Sequence, residues 1–497
     1  MDAFITPLAV IFQWQNVTLI LLGVLIGVVV GILPGIGAMQ AMALMIPLTW
    51  KMDVTPALVL LISIYATSKF GGSLTAILFN IPGDNANAVT LIDGFPMAMN
   101  GKAKTAIGAS ATVSILGGLF SSLSLIIFLP VMYQIILLFG PAEFFMLALF
   151  GLTAIAAVSA KTLVKGLMAG IIGILISTIG FHPLAGQARF SFGFLYLEDG
   201  INIVPVILGA LALSEALILW MEESSILTEG QPITGSYLEG VKEVFRNMPL
   251  FLRSCAIAWV VGVAPGAGSA TAGFVSYASA TKTCKNPETF GKGDVRGVIA
   301  GDTALHACAG GDLLPTVTMG IPGSGAMAIL LGAFLIHGIA PGPQIVKHRT
   351  DLIYLIVYVL FIAHIIGVFM AAGFSNYMEK LTTARSEIIA PILIVFCFIG
   401  SYVSRGYWQD MLVTTFFGIM GYYMRKHGYN PIPLVLGIIL GPTAEMGFYV
   451  ALSISLNGPL IFITRIPSLI ILICILVVVF WPFVGKMYLK TKNKFAT

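Results

Sequence analysis

Long uninterrupted apolar runs constrain this chain more than any other feature of its sequence. Clear examples are residues 17–37, 201–220, 352–373, 388–403 and 461–483. A helix needs about 20 apolar residues to cross about 30 Å of hydrocarbon, and these runs reach or approach that length. Counting all such runs gives about 12 spans. We therefore predict an all-α polytopic membrane protein with about 12 transmembrane helices.

The composition supports the membrane class. Apolar residues make up 58% of the 497 positions and charged residues only 10%, whereas soluble domains carry about 25% charged residues. Glycine and proline, at 54 and 25 residues, are frequent, as they are in helical membrane proteins. The net charge of +4 comes from short loops and the C-terminus and requires no nucleic-acid partner. The five cysteines form no CxxC pair, so neither a disulfide framework nor a zinc site is predicted.

Positive charges predict the orientation of the chain ends. Residues 1–50 contain no Lys or Arg, while the C-terminal tail contains Lys486, Lys490, Lys492 and Lys494. Because positive segments favour the cytoplasm, we expect an external N-terminus and a cytoplasmic C-terminus. No basic n-region or small-residue cleavage site marks a signal peptide, so we expect the first span to remain in the mature protein.

A polar stretch at residues 222–248 separates two apolar halves. Within it, Leu238, Val241, Phe245 and Met248 recur at helical spacing among charged residues. This pattern fits a short helix on the membrane interface or a solvated linker helix, and both readings remain open. The predicted organisation is a first membrane repeat at 1–221, a polar linker at 222–250, a second membrane repeat at 251–385, and C-terminal transmembrane helices with a basic tail at 386–497.

The two halves repeat the same motifs in the same order. Each half contains Pro-Gly-x-Gly, then Gly-Gly, then Ile-Pro-Gly, then Leu-Ile-x-Gly. These motifs are residues 34–37, 71–72, 81–83 and 91–94 in the first half, and 265–268, 310–311, 321–323 and 335–338 in the second. A repeated half in a helical membrane protein is typical of secondary transporters. We therefore predict two homologous halves with broken helices or re-entrant hairpins.

The Pro-Gly motifs have a physical meaning inside apolar runs. Proline interrupts a helix because it lacks an N–H donor and clashes with the preceding turn. In hydrocarbon such a break survives only against protein or a watery cavity. It also exposes a helix N-terminus that attracts anions and unwound carbonyl groups that coordinate cations. Paired breaks at the midplane thus predict a substrate and ion site, with kinks at tight helix crossings as the alternative.

The candidate substrate- and ion-binding residues are the break residues and the polar side chains beside them. In the first half they are Pro34, Gly35, Gly37, Gly71, Gly72, Ser73, Asn80, Pro82, Gly83, Asp84 and Asn85. In the second half they are Pro265, Gly266, Gly268, Ser269, Asp302, His306, Gly310, Gly311, Asp312, Pro322, Gly323 and Ser324. Ionisable groups at membrane depth are costly and commonly functional. For Asp93 an ordinary loop position is the simpler reading, and Lys69 fits either a counter-charge to an anionic substrate or a side chain that reaches the interface.

Longer motifs resemble a known family. They are residues 31–35 (GILPG), 70–73 (FGGS), 76–80 (AILFN), 82–83 (PG), 93–96 (DGFP), 265–268 (PGAG), 290–293 (FGKG), 335–343 (LIHGIAPGP), 440–442 (LGP) with Glu445, and 462–465 (FITR). Over essentially the whole chain these motifs resemble the large permease subunit of the tripartite tricarboxylate transporters. The resemblance implies a cation-coupled permease of the bacterial inner membrane, not an enzyme. It also implies small carboxylate substrates, a small membrane subunit, a periplasmic substrate-binding protein, and sodium as the coupling cation, with no other cofactor.

The sequence departs from the family pattern in three places. Asp302, Leu305 and His306 stand where the family carries a glutamate followed by paired asparagines. Glu445 lacks the arginine that follows it in the family, and Lys69 replaces a small neutral residue. The glycine and proline framework is intact, so a transport role is still expected. The substrate is left open between tricarboxylates and other carboxylates.

Other protein classes fit the sequence less well. Residues 291–294 (GKGD) match the GxGD string of intramembrane aspartyl proteases, but they lie in a basic loop, and no Tyr-Asp partner motif is present. The chain contains no GxxxxGKS/T phosphate loop, so an ATP-driven pump is not predicted. A stand-alone carrier or channel without partner subunits remains the serious alternative.

Charge at equivalent loops predicts that the halves have opposite orientations. The loop after the first Pro-Gly motif holds Lys51 alone, whereas its counterpart holds Lys282, Lys285, Lys292 and Arg296. The positive-inside rule places the second loop in the cytoplasm and allows the first to lie outside. Inverted repeats of this kind are a common basis of alternating access.

Overall fold

The computed structural model describes residues 2–33, 37–136, 138–159, 163–182, 186–221, 234–374, 386–455 and 458–494. Helices account for nearly all of the regular structure in these ranges. One antiparallel pair of short strands joins β1 (Gly180–Phe181) to β2 (Ala188–Arg189). The all-α class predicted from the apolar runs is confirmed.

The helices follow one another with short connections. The first are α1 (Asp2–Ile11), α2 (Trp14–Ile32), α3 (Ala38–Thr49), α4 (Val54–Phe79), α5 (Ala88–Met99), α6 (Ala103–Ile136), α7 (Pro141–Ser159), α8 (Leu163–Ser177), α9 (Leu195–Glu198), α10 (Ile203–Ile207) and α11 (Ser214–Met221). The next are α12 (Tyr237–Arg246), α13 (Met248–Val263), α14 (Gly268–Thr283), α15 (Val295–Met319), α16 (Gly325–Ile336), α17 (Pro343–His348) and α18 (Thr350–Phe374). The last are α19 (Ser386–Arg405), α20 (Trp408–Lys426), α21 (Ile432–Ile454), α22 (Ile461–Thr464) and α23 (Ile466–Lys494). A π-helical segment, Leu208–Leu213, joins α10 to α11, and 3-10 turns lie at Asn85–Asn87, Pro287–Thr289 and Gly458–Leu460.

Six helices in the described ranges are long and apolar enough to cross a membrane. They are α2, α4, α6, the continuous segment 203–221, α18 and α21. Two bent pairs, α12 with α13 and residues 458–464 with α23, raise the number to as many as eight if each pair is one span. The chain is thus a multi-pass membrane protein, but about 12 spans are not confirmed. The breaks divide several apolar runs into helices of 10–17 residues, such as α3 and α16.

Contacts divide the chain into two compact units. The first unit comprises residues 1–133 and 204–422, and the second comprises residues 134–203 and 423–497. The four-part division drawn from the motifs stays a prediction. In the first unit α4 and α15 form the centre, because almost every residue of both helices is buried. α2 packs along α4, and α13 packs along α15.

The Gly-Gly pairs are not helix breaks, contrary to the prediction. They lie inside the uninterrupted helices α4 and α15. An added Cβ on Gly71 would lie 2.6 Å from the carbonyl oxygen of Val28 on α2, and one on Gly311 would lie 2.6 Å from that of Trp259 on α13. Glycine therefore allows two helix backbones to approach closely at each point.

Both central helices end in the same way. Asn80 (φ 58°) closes α4 and Gly320 (φ 70°) closes α15 in the left-handed conformation, and Ile-Pro-Gly follows each cap. The proline cannot continue the helix because it has no N–H to donate. Counting nine residues back from each cap gives Gly71 and Gly311, which are therefore counterparts. The alignment that paired Gly71 with Gly310 is wrong by one residue.

Two partly buried ion pairs lie in the described part of the second unit. The fully buried carboxylate of Glu143 on α7 accepts hydrogen bonds from Arg465 at 2.8 Å and from Ser468 at 2.7 Å. Arg189 on β2 donates to both carboxylate oxygens of Glu445 on α21, at 2.6 and 3.0 Å. Glu445 is thus paired with an arginine that is distant in sequence.

The predicted linker helix is present as α12. Gly240 and Val244 are buried on one face, whereas Leu238 and Phe245 are 70% and 57% exposed. The chain then bends by 77° into α13. Large apolar side chains on the open face favour the interfacial position over the solvated one.

We expect Gly71→Ala and Gly311→Ala to destabilise the protein by similar amounts, about 1–3 kcal/mol, because each new methyl group overlaps a backbone carbonyl oxygen. Gly373→Ala on α18 is the matched control, since nothing lies within 4 Å of its added Cβ. The measurement is the thermal unfolding midpoint of the purified protein in one detergent. Equal midpoints for all three variants would contradict this packing.

Candidate functional site

Buried polar side chains connect α4 to α15 at their crossing. The amine of Lys69 donates to the carbonyl oxygen of Leu305 at 2.9 Å and to the hydroxyl of Tyr65 at 3.2 Å. That hydroxyl donates to the carboxylate of Asp312 at 3.1 Å. A cation and a carboxylate are thus joined through one tyrosine, so their charges compensate each other in the interior.

Lys69 lies inside the protein, not at the membrane interface. Its side chain is only 4% exposed, and its amine lies over the ring of Tyr65, 4.5 Å from the ring centroid. The reading in which Lys69 extends to the interface is therefore wrong. Its charge is available to the interior of the first unit, as the counter-charge reading requires.

Asp302 forms a second polar centre nearer to the start of α15. Its carboxylate accepts from the hydroxyl groups of Thr90 on α5 and Ser110 on α6. Ser73 on α4 also lies within hydrogen-bonding reach of it, and the amide of Asn87 donates to Ser73 at 3.0 Å. Asp302 therefore links α15 to three other helices of the first unit.

His306 lies one turn after Asp302 on α15 and is fully buried. Its Nδ1 is 3.4 Å from the hydroxyl oxygen of Ser114 on α6. Its ring stands edge-on to the ring of His364 on α18, with centroids 5.3 Å apart. The predicted residues Asp302, His306 and Asp312 thus lie along one buried helix, while His364 was not among the residues predicted from the sequence.

α4 and α15 run antiparallel where they cross. Tyr65, early in α4, contacts Asp312, late in α15. Ser73, further along α4, lies by Asp302, nearer to the start of α15. The short helices beside them also contact the opposite half: α5 packs on α14 and α15, and α16 packs on α3 and α4. The contacts between the two halves are therefore reciprocal.

In the first half Gly37, the last residue of the Pro-Gly-x-Gly motif, lies against the segment that begins with Ile-Pro-Gly. An added Cβ on Gly37, the residue before α3, would lie 2.6 Å from a carboxylate oxygen of Asp84. An added Cβ on Gly83 would lie 2.6 Å from the Cα of Gly72. The N-terminus of α3 therefore faces the link between α4 and α5.

In the second half the two breaks are joined by a hydrogen bond. The backbone N–H of Gly266 donates to the carbonyl oxygen of Gly323 at 2.9 Å. An added Cβ on Gly268, where α14 begins, would lie 3.5 Å from the Cβ of Ser324, the residue before α16. Two helix N-termini therefore meet at this point, and their partial positive charges add.

The two break sites differ in charge. Four residues after the helix caps stand Asp84 in the first half and Ser324 in the second. Asp84 stands between the exposed residues Asn80 and Asn85 in the sequence, so the first site contains oxygen ligands of the kind that hard cations prefer. The second site offers the hydroxyl of Ser324 beside helix N-termini, which suit an anion. The carboxylate of Asp312 lies next to this site and is linked to Lys69 through Tyr65.

The structure brings most of the predicted residues together in the first unit. Pro34 and Gly35 lie outside the described residues. The others lie at the two break sites or on the central helices: Gly37, Asn80, Pro82, Gly83, Asp84, Asn85, Pro265, Gly266, Gly268, Ser269, Pro322, Gly323 and Ser324 at the breaks, and Gly71, Gly72, Ser73, Asp302, His306, Gly310, Gly311 and Asp312 on α4 and α15. Tyr65, Ser110 and His364 complete this interior and were missed. Their signal is a single polar residue in an apolar helix, which does not reveal its partner.

Asp93 is buried within α5, not placed in a loop as expected. One of its carboxylate oxygens accepts from the backbone N–H groups of Gly291, Gly293 and Asp294, at 2.8, 2.9 and 2.9 Å. The other accepts from the hydroxyl of Tyr277 at 2.9 Å. Residues 291–294 thus form a nest of amides around a carboxylate from the other half.

Asp294, the aspartate of the GKGD string, is an ion-paired loop residue. Arg296 approaches its carboxylate at 2.5 Å, and Thr289 donates a further hydrogen bond to it. Burial raises the pKa of Asp294, but these hydrogen bonds outweigh burial and hold the pKa below its usual value. A carboxylate held ionised by an adjacent arginine gives no support to the aspartyl protease reading.

These features define a multi-pass helical membrane protein with helix breaks and compensated charges in its interior. The family described as tripartite tricarboxylate transporter TctA family matches residues 17–436. The chain belongs to this family, which confirms the resemblance seen in its motifs. Membership implies a component of a transporter that acts with partner subunits.

Two similar proteins come from Agrobacterium vitis. An uncharacterised 52.8 kDa protein of the TAR-I ttuC' 3' region is 32% identical over 452 residues, which cover 90% of this chain and 89% of the relative. An uncharacterised protein of the TAR-II ttuC' 3' region is 32% identical over 206 residues, or 41% of this chain and 85% of the relative. No solved structure matches the chain.

We expect Lys69→Met to destabilise the protein by about 3–5 kcal/mol, because it leaves the buried carboxylate of Asp312 without its cation. Lys69→Met combined with Asp312→Asn removes both charges and should recover most of that loss. The measurement is a double-mutant cycle on thermal unfolding in detergent, with Asp312→Asn alone as the remaining variant. Simple addition of the two single losses would show that the two charges do not compensate each other.

Proposed function

We propose that this chain is the large membrane subunit of a cation-coupled secondary transporter, which takes up a small carboxylate across the bacterial inner membrane. It works with a small membrane subunit and a periplasmic substrate-binding protein, and sodium is the proposed coupling cation. The observation that carries the proposal is that Gly37 in the first half and Gly266 in the second, each from a Pro-Gly-x-Gly motif, lie against the segment that begins with Ile-Pro-Gly in the same half. Both meeting points adjoin the charged crossing of α4 and α15, since the charge of Lys69 acts on Asp84, and Gly323 packs against Asp312.

The difference in charge between the break sites supports separate binding sites for the cation and the substrate. We assign the cation to the first site, where Asp84 supplies a carboxylate. We assign the substrate carboxylate to the second site, where the N-termini of α14 and α16 meet beside Ser324. Asp312 is the carboxylate nearest to this second site, and Lys69 compensates it through Tyr65.

Asp302 and His306 are proposed to set the ion dependence or the substrate affinity of transport. Both lie on α15, between the loop of residues 284–294 and the second break site. They stand at positions where the sequence departs from its family, so the substrate is proposed as a carboxylate that need not be a tricarboxylate.

Reciprocal packing supports halves of opposite orientation. Antiparallel central helices with exchanged flanking helices are what a two-fold axis in the membrane plane produces. Asn100 after α5 donates to the carbonyl oxygen of Lys292 at 3.3 Å, so the basic loop of the second half and the end of α5 share one face. On the proposed opposite face, Asp53 lies close enough to His337 for its charge to act on that ring.

We expect Asp84→Asn to raise the half-saturating sodium concentration at least about tenfold, because the cation loses its carboxylate ligand. Ser324→Asp should raise the KM for carboxylate at least about tenfold by charge repulsion. Ser324→Asn introduces a side chain of the same shape as aspartate but without its charge, and it should leave the KM near the wild-type value. The measurement is initial uptake of labelled dicarboxylates and tricarboxylates by right-side-out vesicles that retain the native partner subunits.

Two results of this experiment would count against the proposal. Wild-type vesicles that take up none of the carboxylates reject the transport function. Equal KM values for Ser324→Asp and Ser324→Asn reject the placement of the substrate at the second break, while the transport function stands.

We expect Asp53→Cys and Asn286→Cys to be labelled from opposite sides of the membrane. Both positions are exposed, and each lies in a loop that precedes a central helix. The variants are made in a background that lacks the five native cysteines, and an impermeant thiol reagent is added to intact cells. The expected outcome is labelling of position 53 and protection of position 286 until the cells are broken. Labelling of both positions in intact cells would show that the halves are parallel.

A further inference from the structure

His306 and His364 form a pair of imidazole rings inside the first unit that neither the break sites nor the Lys69–Asp312 link uses. They are 0% and 2% exposed, and their rings are edge-on with centroids 5.3 Å apart. Gly117 and Gly118 of α6 leave room for them. An added Cβ on Gly117 would lie 3.1 Å from the Cβ of His306, and one on Gly118 would lie 2.6 Å from Cγ of His364.

The hydrogen bond of His364 fixes where its proton lies. Its Nδ1 is 2.7 Å from the carbonyl oxygen of Leu360. A carbonyl oxygen only accepts, so Nδ1 must carry the hydrogen. A neutral imidazole has one N–H, and Nε2 of His364 is therefore a bare lone pair. This nitrogen is buried and has no hydrogen-bond partner among the described residues.

The second ring has the same unused atom. His306 directs Nδ1 toward the hydroxyl of Ser114 at 3.4 Å, and its Nε2 is also buried without a hydrogen-bond partner in the described part of the chain. Buried polar atoms in proteins are nearly always paired, so two neighbouring nitrogens without a partner mark a place where a ligand can bind.

The charges that face the pair come from two helices. Lys69 on α4 is a cation whose charge acts on both rings, and Tyr65 lies beside it. α15 contributes Asp302 one turn before His306, and Cys308 and Asp312 after it. On α6 the described residue that faces the pair is the neutral Ser114. Of these groups Lys69 acts on both rings, and its charge opposes a positive charge on the pair.

We propose that the His306–His364 pair binds a proton that is carried during transport, with Nε2 of His364 as the atom that receives it. The proton comes from water on one side of the membrane and leaves to water on the other, so the neutral pair becomes a monocation and then returns to neutrality. Its charge repels Lys69, which holds α4 to α15, and so favours separation of the two helices. This inference rests on the proposed transport function and adds a proton to the sodium assigned to the first break site.

Two substitutions separate proton binding from packing. His364→Asn keeps an N–H donor near the position of Nδ1, and hence the bond to Leu360, but deletes Nε2. His364→Gln keeps a polar group near the position of Nε2 that does not take up a proton at physiological pH. His348→Gln is the control, since this histidine of α17 is exposed. Each variant replaces the chromosomal gene, so that the native partner subunits are retained.

The experiment measures uptake of labelled carboxylate and the accompanying alkalinisation of the medium, in right-side-out vesicles between pH 5.5 and 8.5. Wild type and His348→Gln should alkalinise the medium during uptake. Their initial rates should fall by up to about tenfold per pH unit on the alkaline limb, where proton binding limits transport. Both His364 variants should lose the alkalinisation and the steep limb while they still bind substrate.

The outcomes distinguish a failure of the proton site from a failure of the proposed transport function. Wild-type vesicles without carboxylate uptake reject the transport function, and the proton site with it. Uptake by wild type without alkalinisation, or His364 variants that keep both the alkalinisation and the steep limb, rejects the proton site alone. A loss of uptake in wild type on addition of a zinc chelator, restored by Zn²⁺, would identify the pair as a metal site and overturn the assignment to a proton.

Discussion

A backbone group that leaves a helix inside hydrocarbon must find its partner within the protein, and this requirement shapes the first unit. The break after α13 meets it by bonding to the break after α15, through Gly266 and Gly323. Glycines at positions 71 and 311 let α2 and α13 approach the central helices closely enough to cover the breaks. Because neighbouring backbone supports the interruptions, α4 and α15 are buried along nearly their whole length.

Such burial leaves the charged residues of α4 and α15 without bulk water. Neighbouring groups compensate these charges: Lys69 is linked to Asp312 through Tyr65, and Asp302 accepts hydrogen bonds from hydroxyl groups. If the two helices part, these charges lose their partners, and a stranded buried charge is strongly unfavourable. Water or a bound ion must then replace the lost contacts.

The apolar runs and the break motifs predicted much of the fold, because span length and helix termination depend on local chemistry. α18 nearly coincides with the run at 352–373, and α2 covers residues 17–32 of the run at 17–37. The span count was not obtained, since a short helix such as α16 is as apolar as part of a full span. The site was predicted in part: Asp302, His306 and Asp312 stand out because ionisable residues in apolar runs are rare. Pairings such as Arg189 with Glu445, 256 residues apart, depend on packing and leave no local signal.

The nest of amides around Asp93 has a consequence for biosynthesis. The carboxylate accepts its first loop amide from Gly291, which lies 198 residues further along the chain. A ribosome adds about 5–20 residues per second, so α5 waits about 10–40 s for the N–H donors that bind the carboxylate of its aspartate. An unpartnered carboxylate is costly in hydrocarbon, and during that interval α5 must remain near water or within the insertion machinery. A nascent chain that stops before residue 291 therefore leaves Asp93 of α5 without its loop N–H donors. The first half can be completed only after the second half emerges.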